Sequence, residues 1–370
     1  MSLFSFFNKK SPIPQDLVPA FDYPKVKQSF LNEMLDASQG KQTSIPYIIN
    51  SLPEKPLAVE GIIQGIVMGG TNYIVSTAQI QNGSIAFLDK KTGELPILKD
   101  KATVIAFLKE HLDSRAQAVG LNFGFPLTPI KGKNGELDGQ LIKGTKEHLF
   151  EGVVGMTLGD IVREAAERDV TAAVANDTIC LMLAGDGSED GSIIAGTGFN
   201  IGIRLDPRTA VNLEAANFNK FVPTEALRII DERSDMPGTN LFEKLISGKY
   251  LSELFNVKAE KLGITFTPIH TSQELSALSH ETKNETANLL ARALLERSAY
   301  LVAASISAVY EFRMKKPLTI IGEGSLLWKG WNYKVNIERE LENLNVPPLA
   351  ITFKHIQDSS IQGALGLLTK

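Results

Sequence analysis

Three short glycine-bearing segments could do chemistry: Gly69-Gly70-Thr71-Asn72, Gly196-Thr197-Gly198-Phe199-Asn200 and Gly322-Glu323-Gly324-Ser325, each directly after an apolar run. A glycine turn at a strand end lets backbone N–H groups approach a phosphate with no Cβ in the way, and a nearby hydroxyl adds a donor. Taken singly, each reads as ordinary hairpin punctuation. Three in one chain, with neither the Walker pattern nor a dinucleotide fingerprint present, predict a nucleotide held between facing glycine hairpins. Asn176-Asp177 lies where the apolar strand Val170 to Ala175 hands over to a helical segment. Asp177 then either caps that helix or sits in its first turn, taking free N–H groups. Alternatively, a carboxylate at a strand's carboxyl end faces a cleft and accepts the proton of a hydroxyl attacking phosphorus. Thr145-Lys146, Glu214 and Glu243 are open to the same two readings, solvated surface or polar site.

The elements that must position these residues follow from periodicity. The Pro-broken N-terminal stretch leaves room for one helix, Val26 to Leu35, in an arm packed on a domain. Strands are predicted over Gly61 to Met68, Tyr73 to Ile80 and Ser84 to Leu88, the last two joined as a hairpin at Asn82-Gly83, a dipeptide that accepts positive φ. A helix (Ala102 to Leu112) and a strand (Ala116 to Phe123) follow. The second half repeats the texture with strands Gly191 to Ala195 and Ile201 to Leu205 around the second glycine turn, which predicts a duplicated α/β unit. Helices are predicted over Leu241 to Phe255 and residues 282–312, then a strand over Leu318 to Ile321.

Composition bounds the answer. A chain of 370 residues exceeds what one core usually serves, so two domains with a cleft are expected. With 43% hydrophobic and 22% charged residues, it is neither disordered nor collagenous. Its 38 basic and 42 acidic residues form no long block, which gives no electrostatic reason for a nucleic-acid or anionic-membrane partner. Cys180 is the one cysteine, and the five histidines show no zinc-ligand spacing, so a reducing cytoplasm fits. The apolar Met1 to Phe7 is too short for a signal peptide, and no run reaches the roughly 18 apolar residues of a membrane span, so a soluble protein is expected.

In sequence order the motifs resemble those of the eukaryotic-type hexokinase and glucokinase family. Gly69 to Asn72 matches its first phosphate motif, Phe123-Gly124-Phe125-Pro126 its F-S-F-P sugar loop, and Leu141 to Lys146 its L-I-x-W-T-K segment. Asn176-Asp177-Thr178 matches N-D-T, Gly196 to Asn200 the second phosphate motif G-T-G-x-N, and Val211 to Glu214 V-N-x-E. Pro237-Gly238, Leu241 to Lys244 and Ser247 to Leu251 match P-G…L-F-E-K-x-x-S-G-x-Y-L, and Gly322 to Lys329 is similar to the adenosine-motif stretch.

The resemblance implies two actin-like, ribonuclease-H-like lobes around a central cleft. The small lobe would span 59–174 plus about 358–370, and the large lobe 1–58 plus 175–357. It implies an ATP-dependent hexokinase using Mg²⁺, acting on the 6-hydroxyl of glucose or a related hexose in the first step of glycolysis. Gly124, Phe125, Thr145, Lys146, Asn176, Asp177, Asn200, Glu214 and Glu243 would line the sugar, with Asp177 as general base and Lys146 adding positive charge. The turns Gly69, Gly70, Thr71, Asn72 and Gly196, Thr197, Gly198 would grip the phosphates. Gly248, Lys249 and Gly324, Ser325, Leu326, Leu327, Trp328, Lys329 would surround the nucleotide, and Asp177 would also sit indirectly on the metal.

Several positions depart from the family. Val67 stands where the family has an aspartate that helps hold hydrated Mg²⁺, Ile74 where it has arginine, Gly124 where it has serine, and Gly144 where it has tryptophan. Asp358 to Ala364 only approximates D-G-S-G-K-G-A. Because these changes fall mostly on the metal and phosphate side, a rival reading is a sugar sensor or regulator with weakened catalysis. A sugar-responsive transcription factor would need a helix-turn-helix and a basic face, and neither is visible. Oligomeric state has no signal in the sequence.

Overall fold

The computed structural model describes residues 17–144, 148–281 and 283–370. The chain opens with α1 (Tyr23–Ser38), started by the Asp22 side chain accepting the Lys25 N–H, and β1 (Ile48–Ser51). A first sheet follows from β2 (Gly61–Met68), β3 (Asn72–Gln81), β4 (Ser84–Phe87) and β5 (Lys91–Glu94), then α2 (Lys101–His111) and β6 (Ala118–Phe123). Next come the hairpin of β7 (Leu127–Lys131) and β8 (Leu137–Leu141), then α3 (Leu158–Ala166) and β9 (Thr171–Ala175). Asn82 and Gly83 have φ of 51° and 73°, the two left-handed residues a primed turn requires, so β3 and β4 form the hairpin expected from Asn-Gly.

The second half contains α4 (Asp177–Leu183), β10 (Gly191–Ala195), β11 (Phe199–Asp206), β12 (Thr209–Asn212), α5 (Glu225–Arg233), α6 (Leu241–Ile246) and α7 (Gly248–Lys261). It continues through α8 (Ser272–Leu278), α9 (Glu285–Phe312), β13 (Leu318–Glu323), α10 (Ser325–Lys329), α11 (Tyr333–Asn343), β14 (Ile351–Lys354) and α12 (Ser359–Thr369).

The sheets have one plan. The first runs β4-β3-β2-β6-β9, and the second runs β12-β11-β10-β13-β14 with β1 added on the β12 edge. Each is an antiparallel three-strand meander followed by two strands parallel to its first strand. This repeat is the duplicated α/β unit. After the fifth strand of each sheet the chain crosses over: α4 packs against β10, β11 and β13, while α12 packs against β2, β6 and β9, and the two helices pack on each other. Glycines permit the contact. A Cβ on Gly120 of β6 would collide with the Ala364 carbonyl of α12, and one on Gly363 of α12 with the Cys180 carbonyl of α4.

The largest core surrounds the almost wholly buried α9 and includes the rings of Phe30, Phe199, Phe218 and Phe242. A second core, under the first sheet, includes Phe107, Phe123, Phe125 and Phe150.

One expected helix is divided. Residues 241–255 form two helices, because Ser247 is extended at φ −79°, ψ 156°. The break turns the Gly248 N–H toward the Gly196 carbonyl at 2.7 Å and the Lys249 N–H toward the Thr197 carbonyl at 3.2 Å, bonds a continuous helix would lose.

Candidate functional site

The candidate residues sit at the carboxyl ends of the parallel strands: Gly69 after β2, Gly124 after β6, Asp177 after β9, Gly196 after β10 and Gly324 after β13. That is where α/β sheets bind ligands, because the loops there converge.

Three glycine segments meet in the second lobe. Besides the bonds from Gly248 and Lys249, a Cβ at Gly196 would stand 3.1 Å from the Gly324 Cα, and one at Gly248 would stand 2.7 Å from the Gly196 carbonyl. Gly324 itself has φ of 116°. Only glycine fits this junction, which leaves Thr197, Lys249, Ser325 and Lys329 exposed around it. Leu326 and Leu327 are buried in the core, so they anchor α10 rather than present side chains to a ligand. Trp328 is fixed by its indole N–H donating to the Gly322 carbonyl at 3.0 Å.

In the first lobe the Gly69 N–H closes the turn onto the Asn72 carbonyl at 3.0 Å, leaving Gly70, Thr71 and Asn72 exposed. The Gly124 N–H donates to the Met68 carbonyl at 2.8 Å, docking the sugar-loop candidate on the first glycine turn. Buried His148 braces that turn from behind: its Nδ1 accepts the Leu98 N–H and its Nε2 pairs with the Gly70 carbonyl, both at 3.1 Å. The Phe125 ring is buried among Phe123, His148 and Phe150, so its side chain belongs to the core. Thr145 and Lys146 lie outside the described residues.

Around Asp177 the polar residues interlock. Asn176 is the cap of α4, its Oδ1 accepting the Ile179 N–H at 3.1 Å. Asp177 occupies the first turn, where its Oδ1 accepts from the Thr178 N–H at 2.7 Å and the Thr178 hydroxyl at 3.2 Å. Its Oδ2 has no hydrogen bond among the described residues. Thr178 Oγ1 in turn accepts from Asn200 Nδ2 at 2.8 Å, and Asn200 Nδ2 also donates to Asn212 Oδ1 at 2.9 Å. Asn212 Nδ2 donates to Glu214 Oε1 at 2.7 Å, completing a bridge from Asp177 to Glu214.

Asn200 Oδ1 accepts the N–H groups of Ile201 and Ala215, so both of its amide hydrogens and its oxygen are engaged inside the protein. Glu243 on α6 accepts the Phe199 N–H at 3.2 Å and so reaches the second glycine turn.

The electrostatics are those of crowded carboxylates. Asp177 reaches solvent through the cleft, yet protein surrounds it on most sides. This desolvation, reinforced by the charge of Glu214, raises its pKa to about 6, and Glu323 adds to the effect. Burial likewise raises Glu214 and Glu243, and Glu243 feels Glu214 in addition. Glu214 also holds a left-handed backbone at φ 50°, ψ 47°, a strained state for a non-glycine residue. The Asn212 side chain stabilises it by accepting the Glu214 N–H at 3.1 Å.

Asn212 and Thr178 escaped selection from the sequence, although both lie inside motifs already noted. No strand pattern marked Asn212, because β12 ends at Asn212 and Glu214 lies beyond it in a left-handed turn.

The family model described as Hexokinase matches residues 191–263 and 264–368. Among curated relatives, chloroplastic hexokinase-2 of Nicotiana tabacum is 33% identical over 177 residues, 41% of this chain and 35% of the relative. Hexokinase-2 of Solanum tuberosum is 24% identical over 89% of this chain and 83% of the relative.

Over its C-terminal half the chain is similar to hexokinases. The chain spans only 35–52% of the length of the first four relatives it matches. A solved hexokinase from Schistosoma mansoni, complexed with glucose, superposes with a TM-score of 0.78 at 20% identity, covering 94% of both chains. A ROK hexokinase from Thermus thermophilus gives 0.57 at 16% identity over 83% of this chain and 97% of its own. A ROK-family transcriptional regulator, a homolog of the E. coli MLC protein, also gives 0.57, so the hexokinase fold by itself does not decide between enzyme and regulator.

Proposed function

We propose that this chain transfers the γ-phosphate of ATP to the 6-hydroxyl of glucose or a related hexose, as the first step of glycolysis. The supporting observation is the unpartnered Oδ2 of Asp177, on a carboxylate anchored through Thr178 and Asn200 to the Asn212–Glu214 pair. A pKa of about 6 leaves Asp177 mostly ionised at neutral pH yet basic enough to take a proton in the transition state.

In this reading the hexose O6 attacks the γ-phosphorus while Asp177 accepts the O6 proton. The O6–P bond forms, the bond to the bridging oxygen breaks, and ADP leaves with the electron pair. Glu214, Glu243 and Asn176 pair the remaining sugar hydroxyls. Asn200 acts mainly by holding Thr178 and Asn212 in place. The glycine junction at Gly196, Gly248 and Gly324 accommodates the nucleotide, Gly69 to Asn72 faces its phosphates, and Lys146 adds charge by family resemblance.

Mg²⁺ arriving with ATP supplies neutralisation of the phosphate oxygens when bound. Among the described residues no group of three or more His, Cys, Asp or Glu could hold a metal. The residues present nevertheless fit a hydrated ion carried mainly by the nucleotide, because Asp177 and Glu323 offer carboxylate oxygens and Asn122 has a buried oxygen unpartnered among the described residues.

The two lobes are taken to close as bodies divided near 174/175 and 357/358, a partition supported by the packing of α12 on the first sheet. Cytoplasmic residence is part of the same reading and rests on the lone buried Cys180.

Val67 and Gly124 favour a second reading, a hexose-binding regulator with weakened transfer. A coupled assay of ADP release with glucose and Mg-ATP separates the two: wild type must turn over, and Asp177→Asn must be slower by about 10²-fold or more. Equal inactivity of both proteins, with glucose binding retained, leaves only the regulator.

A further inference from the structure

Val67 on β2, Asn122 on β6 and Ala175 on β9 are register partners across three neighbouring strands. Partners in a sheet point to one face, and this row lies two residues before Gly69 and Asp177. Asn122 is 1% exposed. Its Nδ2 donates to the Ser360 carbonyl at the start of α12 at 3.1 Å, while its Oδ1 has no hydrogen-bond partner among the described residues. A buried amide oxygen is rarely left in that state unless something absent from the polypeptide completes it.

The contacts continue from Ser360. Ser359 Oγ donates to Glu323 Oε2 at 2.7 Å, and Glu323, at the end of β13, lies close enough to Asp177 for its charge to be felt there. Lys90, the cation beside this corner, is already engaged by Asp358 at 2.7 Å. The start of α12 thus links the unsatisfied acceptor oxygen of Asn122 to Glu323, which lies near Asp177. That donor set suits a hard divalent cation with its waters. Val67, one strand away from Asn122, contributes no oxygen.

We propose that Asn122 Oδ1 accepts a hydrogen bond from the hydration shell of the divalent cation that accompanies the nucleotide, acting with Asp177 and Glu323 where Val67 cannot. Neighbouring strands are about 4.8 Å apart, within the reach of an amide side chain. This inference rests on the kinase reading above for the presence of a metal–nucleotide complex.

The test uses the full chain, ADP and Mn²⁺ as probe, with bound Mn²⁺ read by electron paramagnetic resonance and ADP affinity by calorimetry, both with saturating glucose. Wild type is expected to bind ADP about tenfold more tightly with Mn²⁺ than without, and Asn122→Leu to reduce that gain to about twofold, a roughly fivefold change that matches one ordinary hydrogen bond. Metal-free ADP affinity and glucose affinity should be unchanged in the variant. Adding Val67→Asp to Asn122→Leu should restore the gain.

An undiminished Mn²⁺ effect in a folded Asn122→Leu protein overturns the proposal, as does a wild type that binds no Mn²⁺–ADP. If the leucine variant fails to fold, Asn122→Ala is compared with Asn122→Asp: loss in the first with retention in the second supports the proposal, and equal metal dependence overturns it. Asn122-dependent Mn²⁺–ADP binding in a chain that transfers no phosphoryl group would defeat the kinase reading alone.

Discussion

Gly363 of α12 lies directly against the carbonyl oxygen of Cys180 on α4, with no room for a Cβ between them. The two helices that cross between the lobes therefore meet backbone to backbone, with Gly366 making the same approach to Leu183 one turn later. A side chain at this crossing must push the helices apart, and α4 carries Asp177 at its other end. Gly363→Ala is expected to cost about 1–3 kcal/mol of stability, as overpacking does. A urea titration showing an unchanged midpoint would contradict the tight crossing.

Asp177→Asn should lower kcat by about 10²- to 10⁴-fold, the range for loss of a general base, while glucose affinity changes only a few-fold. Steady-state kinetics beside glucose titration by tryptophan fluorescence gives both numbers. A parallel loss of affinity and rate would make Asp177 a binding group only.

The pH behaviour follows from the same carboxylate. Because the base must be ionised, kcat/KM should climb as pH rises through about 6, and no such limb should remain in any residual activity of Asp177→Asn. Stability runs the opposite way. A folded-state pKa raised from the ordinary 3.8 to about 6 gives a contribution that is present below about pH 4 and lost as pH rises through 6. Asp177→Asn should accordingly gain on wild type at pH 8 relative to pH 4. Buried Asp138, also pushed up to about 6 by desolvation, should preserve part of the pH slope in that variant.

Asn212→Ala removes the link between Asn200 and Glu214 and releases the left-handed Glu214 backbone. The expected result is a rise in sugar KM larger than the fall in kcat, with about 1–3 kcal/mol lost in stability from the buried polar groups left unpaired. Chemical denaturation together with KM measurement checks it. A stability loss with unchanged sugar KM would restrict Asn212 to a structural role.

Lys244, next to Glu243, is 2% exposed and bonds Asp231 Oδ1 at 2.6 Å and the Met236 carbonyl at 2.8 Å. Lys244→Met should destabilise by about 3–5 kcal/mol, because it leaves a largely buried carboxylate uncompensated. Loss of sugar binding should accompany it as α6 shifts. Lys244→Met with Asp231→Leu should recover part of the stability, read from thermal denaturation.

Local physics made much of this protein legible in its residues. Apolar alternation and glycine turns marked β2, β3, β10 and β11, and Asn82-Gly83 could hardly be anything but a hairpin, since both residues tolerate positive φ. The order of short motifs was enough to indicate a family, because each motif is a local need: a turn without a Cβ, a carboxylate at a strand end.

What required the tertiary structure was every relationship between distant segments. The break at Ser247 is invisible in a helical pattern, since its cause is the Gly196 carbonyl some fifty residues away. Leu326, Leu327 and the Phe125 ring sit inside plausible binding motifs, yet the core claims them, because an apolar side chain goes wherever it is best removed from water. Asn200 could be named as polar and near the site. That both of its amide hydrogens are engaged by Thr178 and Asn212, and that the oxygen of Asn122 has no partner among the described residues, depends on strand register and helix crossing, and those are set by the packing of the whole chain.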